Sequence, residues 1–435
     1  MASAITLNID DPNSIKAAAK IAADGMMSFY NGNRTDGIPG LFPPPYYWWE
    51  AGAAMGSLID YWYYTGQSEY NDVVTQALLF QVGPQKDYMP PNQSRSEGND
   101  DQAFWGFAAM SAAETAFPDP PPDKPQWLAL AQAVFNLQTT RWADDTCNGG
   151  LRWQIYPFNN GWNYKNTISN GCFFNLAARL ARYTGNQTYA DWAEKMYDWA
   201  NATGLMSPDF KFYDGTDVLQ NCSTVNRIQW SYNAGVFLLG AATMYNITQS
   251  DKWKARTQGI MEATSVFFTT DPPDVMYEVA CEPYGKCNVD QRSFKAYLAR
   301  WMAATTKMAP FTAIYILPKL KASAIAAAQQ CIGPPGNTCG IRWNLGATWD
   351  QSTGVGEQMS ALEVIQSNLI HTVSAPATAN QGGTSKGDPS AGSGGDNPAG
   401  VISLEPVTTG DRVGAGFLTL LILVGVLGGA WWMIL

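Results

Sequence analysis

Two adjacent carboxylic acids, Asp100 and Asp101, stand in the stretch "EGNDDQAFW" at residues 97–105. In a partly buried place their mutual repulsion separates the two titrations, so that one stays a carboxylate while the other can hold a proton near neutral pH. Cleavage of a glycosidic bond with retention of configuration uses such a pair, with the two carboxyl groups about 5–5.5 Å apart. The two aspartates are therefore a candidate catalytic pair of nucleophile and acid.

A structural role is the alternative for the same stretch. Asn99 can cap a helix that begins here, and Gln102, three residues later, completes a capping-box pattern. The helix dipole stabilises acidic residues of a first turn by about 0.3–1 kcal/mol, so acids occur there without any catalysis. Two consecutive acids are more than a cap needs, and both interpretations stay open at this point.

Other chemistries lack the residues they need. The chain has one histidine, His371, which we interpret as an ordinary helix-end residue, and this excludes a Ser-His-Asp triad. No glycine-rich phosphate loop is present, and we expect neither a metal nor a cofactor. The net charge is −10 and the 27 basic residues form no cluster, which excludes a nucleic-acid partner.

Apolar residues recur at helical spacing along most of the chain, which predicts a nearly all-helical fold. Twelve helical segments are expected, at residues 12–30, 47–65, 69–84, 99–117, 126–142, 166–184, 188–203, 229–247, 251–269, 290–308, 310–330 and 355–372. Every second segment opens with a polar and aromatic cluster, as in "YYWWEAG", "GNDDQAFW" and "QWSYNAG". The intervening segments are amphipathic, like surface helices.

This alternation is typical of a barrel of six inner and six outer helices, in which the inner helices begin around one shared mouth. An irregular helical protein with six unrelated helix caps is the alternative, and spacing does not exclude it. In the barrel, the opening clusters would share a pocket with the aspartate pair.

The clusters contain residues suited to a sugar. Aromatic rings can stack on sugar faces, and polar side chains can bind hydroxyl groups; the candidates are Trp48, Trp49, Glu50, Asn99, Asn166, Asn170, Trp230, Tyr232 and Asn233. For each of them, core packing or helix capping is the alternative. Asp290 and Glu357 are further first-turn acids whose presence the helix dipole also explains.

The seven cysteines and the sequons indicate a secretory compartment. Cys281 with Cys287, and Cys331 with Cys339, close short Gly- and Pro-containing loops, which predicts local disulfides rather than zinc ligands, since the chain has no C-x-x-C. The pairing of Cys147, Cys172 and Cys222 stays open, with one of the seven cysteines expected to be buried and free. Six asparagines are in N-x-S/T sequons: Asn33, Asn92, Asn186, Asn201, Asn221 and Asn246.

The two ends of the sequence suggest processing. The start, "MASAITLNID", lacks the features of a signal peptide, and we expect one to have been trimmed. We predict a catalytic domain at 1–373, a flexible Gly/Ser-rich linker and spacer at 374–412, and an apolar tail at 413–435 that carries no charge. Small residues, a spacer and such a tail are typical of a GPI-attachment signal, with attachment expected between Ser390 and Gly400; a transmembrane anchor is the alternative.

Three stretches together resemble glycoside hydrolase family 76, in its fungal, GPI-anchored, cell-wall branch. They are "YYWWEAGAAMGSLIDYWYYTG", "GNDDQAFWGFAAM" and "KNTISNGCFFNLAARLARYTGN". The resemblance extends nearly to His371, and its most specific feature is the double aspartate before Gln-x-Phe-Trp.

The resemblance implies an (α/α)6 barrel that acts on α-mannosides by a retaining double displacement. Asp100 would be the nucleophile and Asp101 the acid/base. Bacterial members are endo-α-1,6-mannanases, and the fungal branch is expected to cut the core glycan of GPI-anchored proteins and transfer it to wall glucan. A hydrolytic endo-α-1,6-mannanase is the second candidate, and a non-catalytic, wall-bound mannan-binding protein is the third.

The implied partners are an α-mannoside donor, a β-glucan acceptor and the membrane, reached through a GPI lipid. We expect a monomer that is secreted and anchored at the outer face of the plasma membrane and the cell wall.

Overall fold

The computed structural model of the protein describes residues 4–393 and 409–434, and these fall into two separate units. Residues 4–393, which we call the body, contain twelve α-helices. They are α1 Pro12–Met27, α2 Trp48–Thr65, α3 Asn71–Phe80, α4 Asn99–Glu114, α5 Trp127–Thr140, α6 Thr167–Thr184, α7 Gln187–Ala202, α8 Ser231–Thr248, α9 Asp251–Ala263, α10 Phe294–Met308, α11 Ala313–Gln330 and α12 Val355–Gln366. All twelve predicted segments are therefore confirmed as helices.

The even-numbered helices form an inner ring. Successive members α2, α4, α6, α8, α10 and α12 pack on one another, and α12 returns to α2, which closes the ring. Each is buried over most of its length; in α4, for example, all residues but the two first-turn aspartates are buried. A helix that is apolar or small on every side has no face for water, so it must lie inside.

The odd-numbered helices surround this ring. In α7 the buried residues recur three and four positions apart, as in Tyr189, Ala193, Met196 and Ala200, while the opposite face is polar. This amphipathic pattern is what an outer helix needs, because one stripe faces the ring and the other faces water. The predicted (α/α)6 barrel is confirmed, and the irregular arrangement is excluded.

Close approach of the inner helices depends on small residues. A β-carbon placed on Gly52 in α2 would lie 2.8 Å from the Trp105 ring of α4, so no larger residue fits without a shift. Gly235 in α8 has the same role, since its β-carbon would lie 2.9 Å from Trp301 of α10. Packing at this density leaves little freedom for substitution at helix contacts.

The loops that precede the inner helices carry short strands. A three-stranded antiparallel sheet consists of β1 Tyr164–Asn166, β2 Gly215–Asp217 and β3 Val225–Asn226, in that order. Two hairpins follow, β4 Phe268–Thr270 with β5 Pro273–Met276, and β6 Cys331–Gly333 with β7 Thr338–Cys339. The three-stranded sheet matters for the site because it joins the loop before α6 to the loop before α8.

Three disulfides stabilise these loops. Cys281–Cys287 and Cys331–Cys339 are confirmed as predicted. Of the three cysteines left open, Cys147 pairs with Cys222, which ties the loop before α6 to the loop before α8, and Cys172 is free and buried in α6.

The body continues beyond the predicted boundary at residue 373. Residues 374–393 lie against the helices: Arg182 donates a hydrogen bond to the carbonyl oxygen of Pro376 at 2.8 Å, and the amide of Leu128 donates to Ser385 Oγ at 3.0 Å. The Gly/Ser composition suggested a linker because it offers no apolar surface to bury, but backbone and hydroxyl groups hold this segment instead. Residues 394–408 of the predicted linker, and most of the predicted attachment stretch, lie outside the described residues.

The second unit contains one described helix, α13 Thr409–Ile434. Among the described residues, two helical stretches are long and apolar enough to cross a membrane, Pro310–Gln330 and Arg412–Trp431. The first is part of the outer ring of the body and is 44% buried there, so its apolar character is explained by packing. The second matches the predicted apolar tail.

Candidate active site

Helix α4 begins at Asn99, where the predicted segment begins, but its N-cap differs from the expected one. Its N-cap is Gly98, not Asn99, and the Gly98 amide donates a hydrogen bond to Asp101 Oδ2 at 2.7 Å. The carboxylate that stabilises the helix start is thus one of the two candidate catalytic groups. A β-carbon on residue 98 would lie 2.4 Å from Asp100 Oδ1, so glycine at this position leaves the space that the Asp100 side chain occupies.

The predicted capping roles of Asn99 and Gln102 are wrong. Both side chains are buried, and Arg141 Nη1 donates to Asn99 Oδ1 at 2.9 Å and to Gln102 Oε1 at 2.7 Å. Asn99 Nδ2 donates to the carbonyl oxygen of Arg152 at 2.8 Å. These two residues therefore fix the loop before α6 against α4.

Asp100 and Asp101 open into a cleft with two arms. The first arm, a cavity of about 340 Å³, is lined by residues that include Asp100, Tyr164, Asn166, Asp214, Trp230 and Tyr232. The second arm, of about 400 Å³, is lined by residues that include Tyr47, Gln93, Ser96, Glu97 and Gln154. Both volumes are in the range of small-ligand sites.

The two arms meet at four residues that line both cavities: Trp49, Asp101, Trp153 and Asp290. Asp100, in contrast, lines only the first arm. The two aspartates are adjacent in sequence but differ in position, because Asp101 lies where the arms join and Asp100 lies to one side.

Burial controls the ionisation of the pair. It raises the pKa of Asp100 well above the usual range, and the neighbouring Asp101 charge raises it further, while Ser169 and Asn166 favour the carboxylate form. Burial also raises the pKa of Asp101, to about 6, against the opposing hydrogen bond from Gly98. The pair therefore holds one proton at mildly acidic pH instead of losing both.

A third carboxylate, Asp214, organises the wall of the first arm. Its side chain accepts hydrogen bonds from Tyr164 Oη at 2.6 Å, Trp230 Nε1 at 3.0 Å and Asn226 Nδ2 at 3.1 Å. These donors come from β1, the residue before α8, and β3. One carboxylate thus sets the position of three side chains that line the cavity.

Of the predicted sugar-binding residues, four line the first arm: Trp49, Asn166, Trp230 and Tyr232. Asn166 also donates from Nδ2 to Asp100 Oδ2 at 3.4 Å, and Tyr232 stacks on Phe294 with ring centroids 3.8 Å apart.

The other predicted residues have different positions. Trp48 borders the second arm but is largely buried and stacked on Trp105. Glu50, Asn99, Asn170 and Asn233 are buried and line neither arm. Neighbours on a helix point about 100° apart, so of two adjacent candidates one faces the mouth and the other faces the core.

Sequence reasoning missed the loop residues of the cleft. Trp153, Tyr164, Asp214 and Asn226 lie between helices, in segments whose pattern predicts no regular structure. A weak signal existed in "NYKN", where Tyr164 and Asn166 alternate with Lys165, as side chains of a strand do. Asp214 had no signal of its own, because its role depends on a sheet formed by distant segments.

The remaining candidates are consistent with structural roles. Glu357 lies in the first turn of α12, outside the cleft, and pairs with Arg292 at 3.0 Å. His371 is exposed in the short turn that follows α12. Both fit the interpretation that helix-end charges need no chemistry.

Five of the six sequon asparagines are exposed: Asn33, Asn92, Asn186, Asn201 and Asn221. Asn246 is half-buried, its Oδ1 accepts from Arg182 Nε at 3.1 Å, and its Nδ2 donates to the carbonyl oxygen of Met308 at 3.1 Å. Its amide therefore braces α8 against its neighbours, whereas the other five are accessible for modification.

A closed ring of inner helices that presents paired carboxylic acids at its mouth defines the class of (α/α)6 glycosidases. Comparison with known proteins agrees with this class. The family described as Glycosyl hydrolase family 76 matches residues 14–380. The chain belongs to that family and is a glycoside hydrolase.

Individual relatives support the assignment. The mannan endo-1,6-alpha-mannosidase DCW1 of Saccharomyces cerevisiae is 48% identical over 436 residues, which cover 99% of this chain and 95% of that protein. The crystal structure of Dfg5 from Chaetomium thermophilum, in complex with glucosamine, is 49% identical with a TM-score of 0.86, covering 91% of this chain and 99% of that one. An α-1,6-mannanase of Salegentibacter shares the fold with a TM-score of 0.66 at 17% identity, covering 83% of this chain and 99% of that chain.

Proposed function

We propose that this chain is a retaining glycosidase acting on α-mannosides, in which Asp100 is the nucleophile and Asp101 the acid/base. The observation that carries the proposal is the placement of the two aspartates relative to the arms. A glycosidic oxygen lies between the sugar that is attacked and the group that leaves, so its proton donor must reach both sides. Asp101 is in that position, and Asp100 faces only the first arm.

The reaction has two steps. The Asp100 carboxylate attacks the anomeric carbon of a mannose in the first arm, the bond to the glycosidic oxygen breaks, and that oxygen takes the proton of Asp101. An acceptor hydroxyl in the second arm then gives its proton to Asp101 and attacks the same carbon, which releases Asp100. Each step inverts the configuration, so the product retains that of the substrate.

The surroundings of Asp100 support its role as the attacking group. Burial opposes its ionisation, but the Asn166 amide, Ser169 and the first-turn amides of α4 all favour the charged form. The mechanism requires the proton of the pair on Asp101 in the reactive state, so with substrate bound these groups must outweigh the burial that raises the pKa of Asp100 above that of Asp101. The hydrogen bond from Gly98 to Asp101 Oδ2 keeps that side chain oriented toward the junction.

The names of relatives support the substrate. DCW1 is named a mannan endo-1,6-alpha-mannosidase, and the Salegentibacter enzyme is an α-1,6-mannanase. A variant of the latter in which two consecutive aspartates are replaced by asparagine is described as inactive, in complex with α-1,6-mannotriose. That pairing of consecutive aspartates matches Asp100 and Asp101 in type and spacing.

We further propose that the acceptor is a sugar hydroxyl more often than water, with the mannose-containing core glycan of GPI-anchored proteins as donor and wall β-glucan as acceptor. The second arm supports this, since its size is similar to that of the first and it carries the exposed ring of Tyr47 and polar groups for a saccharide: Gln93, Ser96 and Gln154. A plain endo-α-1,6-mannanase would use the same arm for the leaving chain.

A transfer assay tests this proposal. The body is incubated with an α-1,6-mannoside donor and a fluorescent laminari-oligosaccharide, and products are separated by mass. A covalent donor–acceptor product is expected, and release of free mannoside alone would leave hydrolysis as the function. No turnover of any α-mannoside would instead favour a mannan-binding protein.

A matched pair of variants makes the assay specific for the second arm. Tyr47 lines that arm and is 58% exposed, whereas Phe80 lines neither arm and is 54% exposed. Tyr47→Ala is expected to lower the ratio of transfer to hydrolysis several-fold, because a stacked acceptor ring loses about 1 kcal/mol of contact. Phe80→Ala should leave the ratio unchanged.

We propose that the protein is held at the outer face of the plasma membrane by a GPI lipid and acts in the cell wall. The support is the apolar α13 together with the small-residue segment before it. Phosphatidylinositol-specific phospholipase C is expected to release the native protein from membranes into the soluble fraction. Protein that stays in the membrane after such treatment, with the residues of α13 present by mass spectrometry, would show a transmembrane anchor instead.

A further inference from the structure

Asp290 stands at the junction of the two arms. It precedes the short turn Gln291–Ser293 that leads into α10, and with Asp101, Trp49 and Trp153 it lines both cavities. Trp49 Nε1 donates a hydrogen bond to its Oδ1 at 3.2 Å. Its Oδ2 receives no hydrogen bond from the described part of the chain.

Asp214 in the first arm and Glu357 outside the cleft differ from Asp290 in this respect. Asp214 accepts three side-chain hydrogen bonds, and Glu357 is paired with Arg292 at 3.0 Å. Within the described residues no lysine or arginine forms an ion pair with Asp290. Its charge is therefore held in place by Trp49 without being neutralised.

We propose that Asp290 is a positioning residue for the reaction, which places a fixed negative charge beside Asp101 and so keeps the proton of the acid/base in place until the glycosidic oxygen takes it. The inference rests on the proposed role of Asp101. It assigns a role in the reaction to Asp290, an acid near a helix start whose presence the helix dipole also explains.

Electrostatics at the junction agree with this geometry. Burial is the main cause that raises the pKa of Asp101, the Gly98 amide opposes it, and the charge of Asp290 raises it further. Trp49 favours the charged form of Asp290, although burial raises its pKa. The other titratable groups that interact with the two residues, from every element packed around them, are Glu50 on α2, Glu97 before α4, Asp100 on α4, Cys172 on α6, Tyr232 on α8 and Tyr297 on α10.

The sign of the effect follows from the chemistry. Turnover needs the proton on Asp101, so activity falls as the pair loses that proton with rising pH. A negative neighbour opposes this loss, and its removal makes the loss easier. Without the charge of Asp290, the alkaline limb of the kcat/KM profile must move to lower pH.

The test is Asp290→Asn in the full body, with kcat/KM measured against pH on an α-mannoside. Asparagine keeps the shape and can still accept from Trp49. The alkaline limb is expected to move down by about one pH unit, with a loss of activity that reaches about tenfold above the limb and little change below it. Asp36→Asn, an exposed acid in the loop before α2, is the control for net charge and should leave the limb in place.

A second measurement follows the protonation of Asp101 directly. The carboxyl carbon resonance that disappears in Asp101→Asn is followed by NMR against pH, in the wild type and in Asp290→Asn. A lower midpoint of the Asp101 titration in Asp290→Asn supports the proposal. The proposal is overturned if the titration midpoints and the alkaline limbs of the kcat/KM profiles are the same in the wild type and the variant. If the wild type does not turn over α-mannosides, the proposed function fails, and the NMR midpoints still decide whether Asp290 acts on Asp101.

Discussion

Asp101→Asn is expected to lower kcat on a natural α-mannoside by about 10²- to 10⁴-fold, because no group remains at the junction to protonate the leaving oxygen. Asp100→Asn is expected to lose more, since the covalent route disappears with its nucleophile. Asparagine at either position has nearly the same size as aspartate. At residue 101 its amide oxygen can also accept from the Gly98 amide, so the helix start is preserved.

A substrate with an activated leaving group distinguishes the nucleophile from the acid/base. An aryl α-mannoside with a weakly basic leaving oxygen needs no proton, so Asp101→Asn should form the mannosyl-enzyme quickly and release it slowly. Mass spectrometry of digests should then find a hexose on Asp100. Asp100→Asn should form no adduct with the same substrate.

The control is Asp72→Asn, which changes a first-turn acid of the outer helix α3, away from the cleft. If Asp100 and Asp101 served the helix alone, all three variants would lower the melting temperature by a similar, small amount and none would abolish turnover. Turnover of a natural α-mannoside near the wild-type rate in either cleft variant would contradict the proposed mechanism.

Arg179→Ala is expected to lower the free energy of unfolding by about 3–5 kcal/mol. Arg179 in α6 pairs with Glu114 at the end of α4 at 2.6 Å, and the side chains are 7% and 9% exposed. Arg179 Nη2 also donates to Ser111 Oγ at 2.9 Å. Removal of the guanidinium leaves a buried carboxylate without its partner, and the cost of that uncompensated charge dominates the effect.

Denaturation in urea, followed by circular dichroism, measures this loss. The double variant Arg179→Met with Glu114→Leu should recover much of the stability, because an apolar pair of similar volume needs no compensation. Lys20→Ala is the matched control: its pair with Asp24 has side chains 45% and 51% exposed, and such pairs contribute about 0.3–0.5 kcal/mol. A loss in Arg179→Ala no larger than that of the control would mean that water reaches the pair.

The sequence predicted the helical framework well because helix identity is a local property. Twelve segments, and their alternation between those that open with polar and aromatic clusters and those that are amphipathic, could be recognised without tertiary contacts. The short cysteine loops were predictable for a similar reason, since residues a few positions apart meet under any fold. Cys147 and Cys222 are far apart in sequence, and only the folded loops showed that they pair.

The start of α4 shows where local reasoning fails. Asn99 has a side chain that can cap, and Gly98 has none, so composition favoured the wrong residue. In the structure Gly98 is required by space, because a β-carbon there would collide with Asp100. This steric constraint depends on where the Asp100 side chain lies relative to residue 98 in the folded protein. The pattern of the surrounding residues does not predict that position.

The sequence by itself determined the class of the fold, the family and the aspartate pair, because helical periodicity and a specific short motif are properties of neighbouring residues. Tertiary structure alone decided which side chains surround that pair. Trp49 faces the cleft while Glu50 faces the core, and Asp214 and Asp290 reach it from loops that are distant in sequence. The orientation of a side chain and the contacts between distant loops depend on how the helices and loops pack together. That packing forms only when the complete barrel folds.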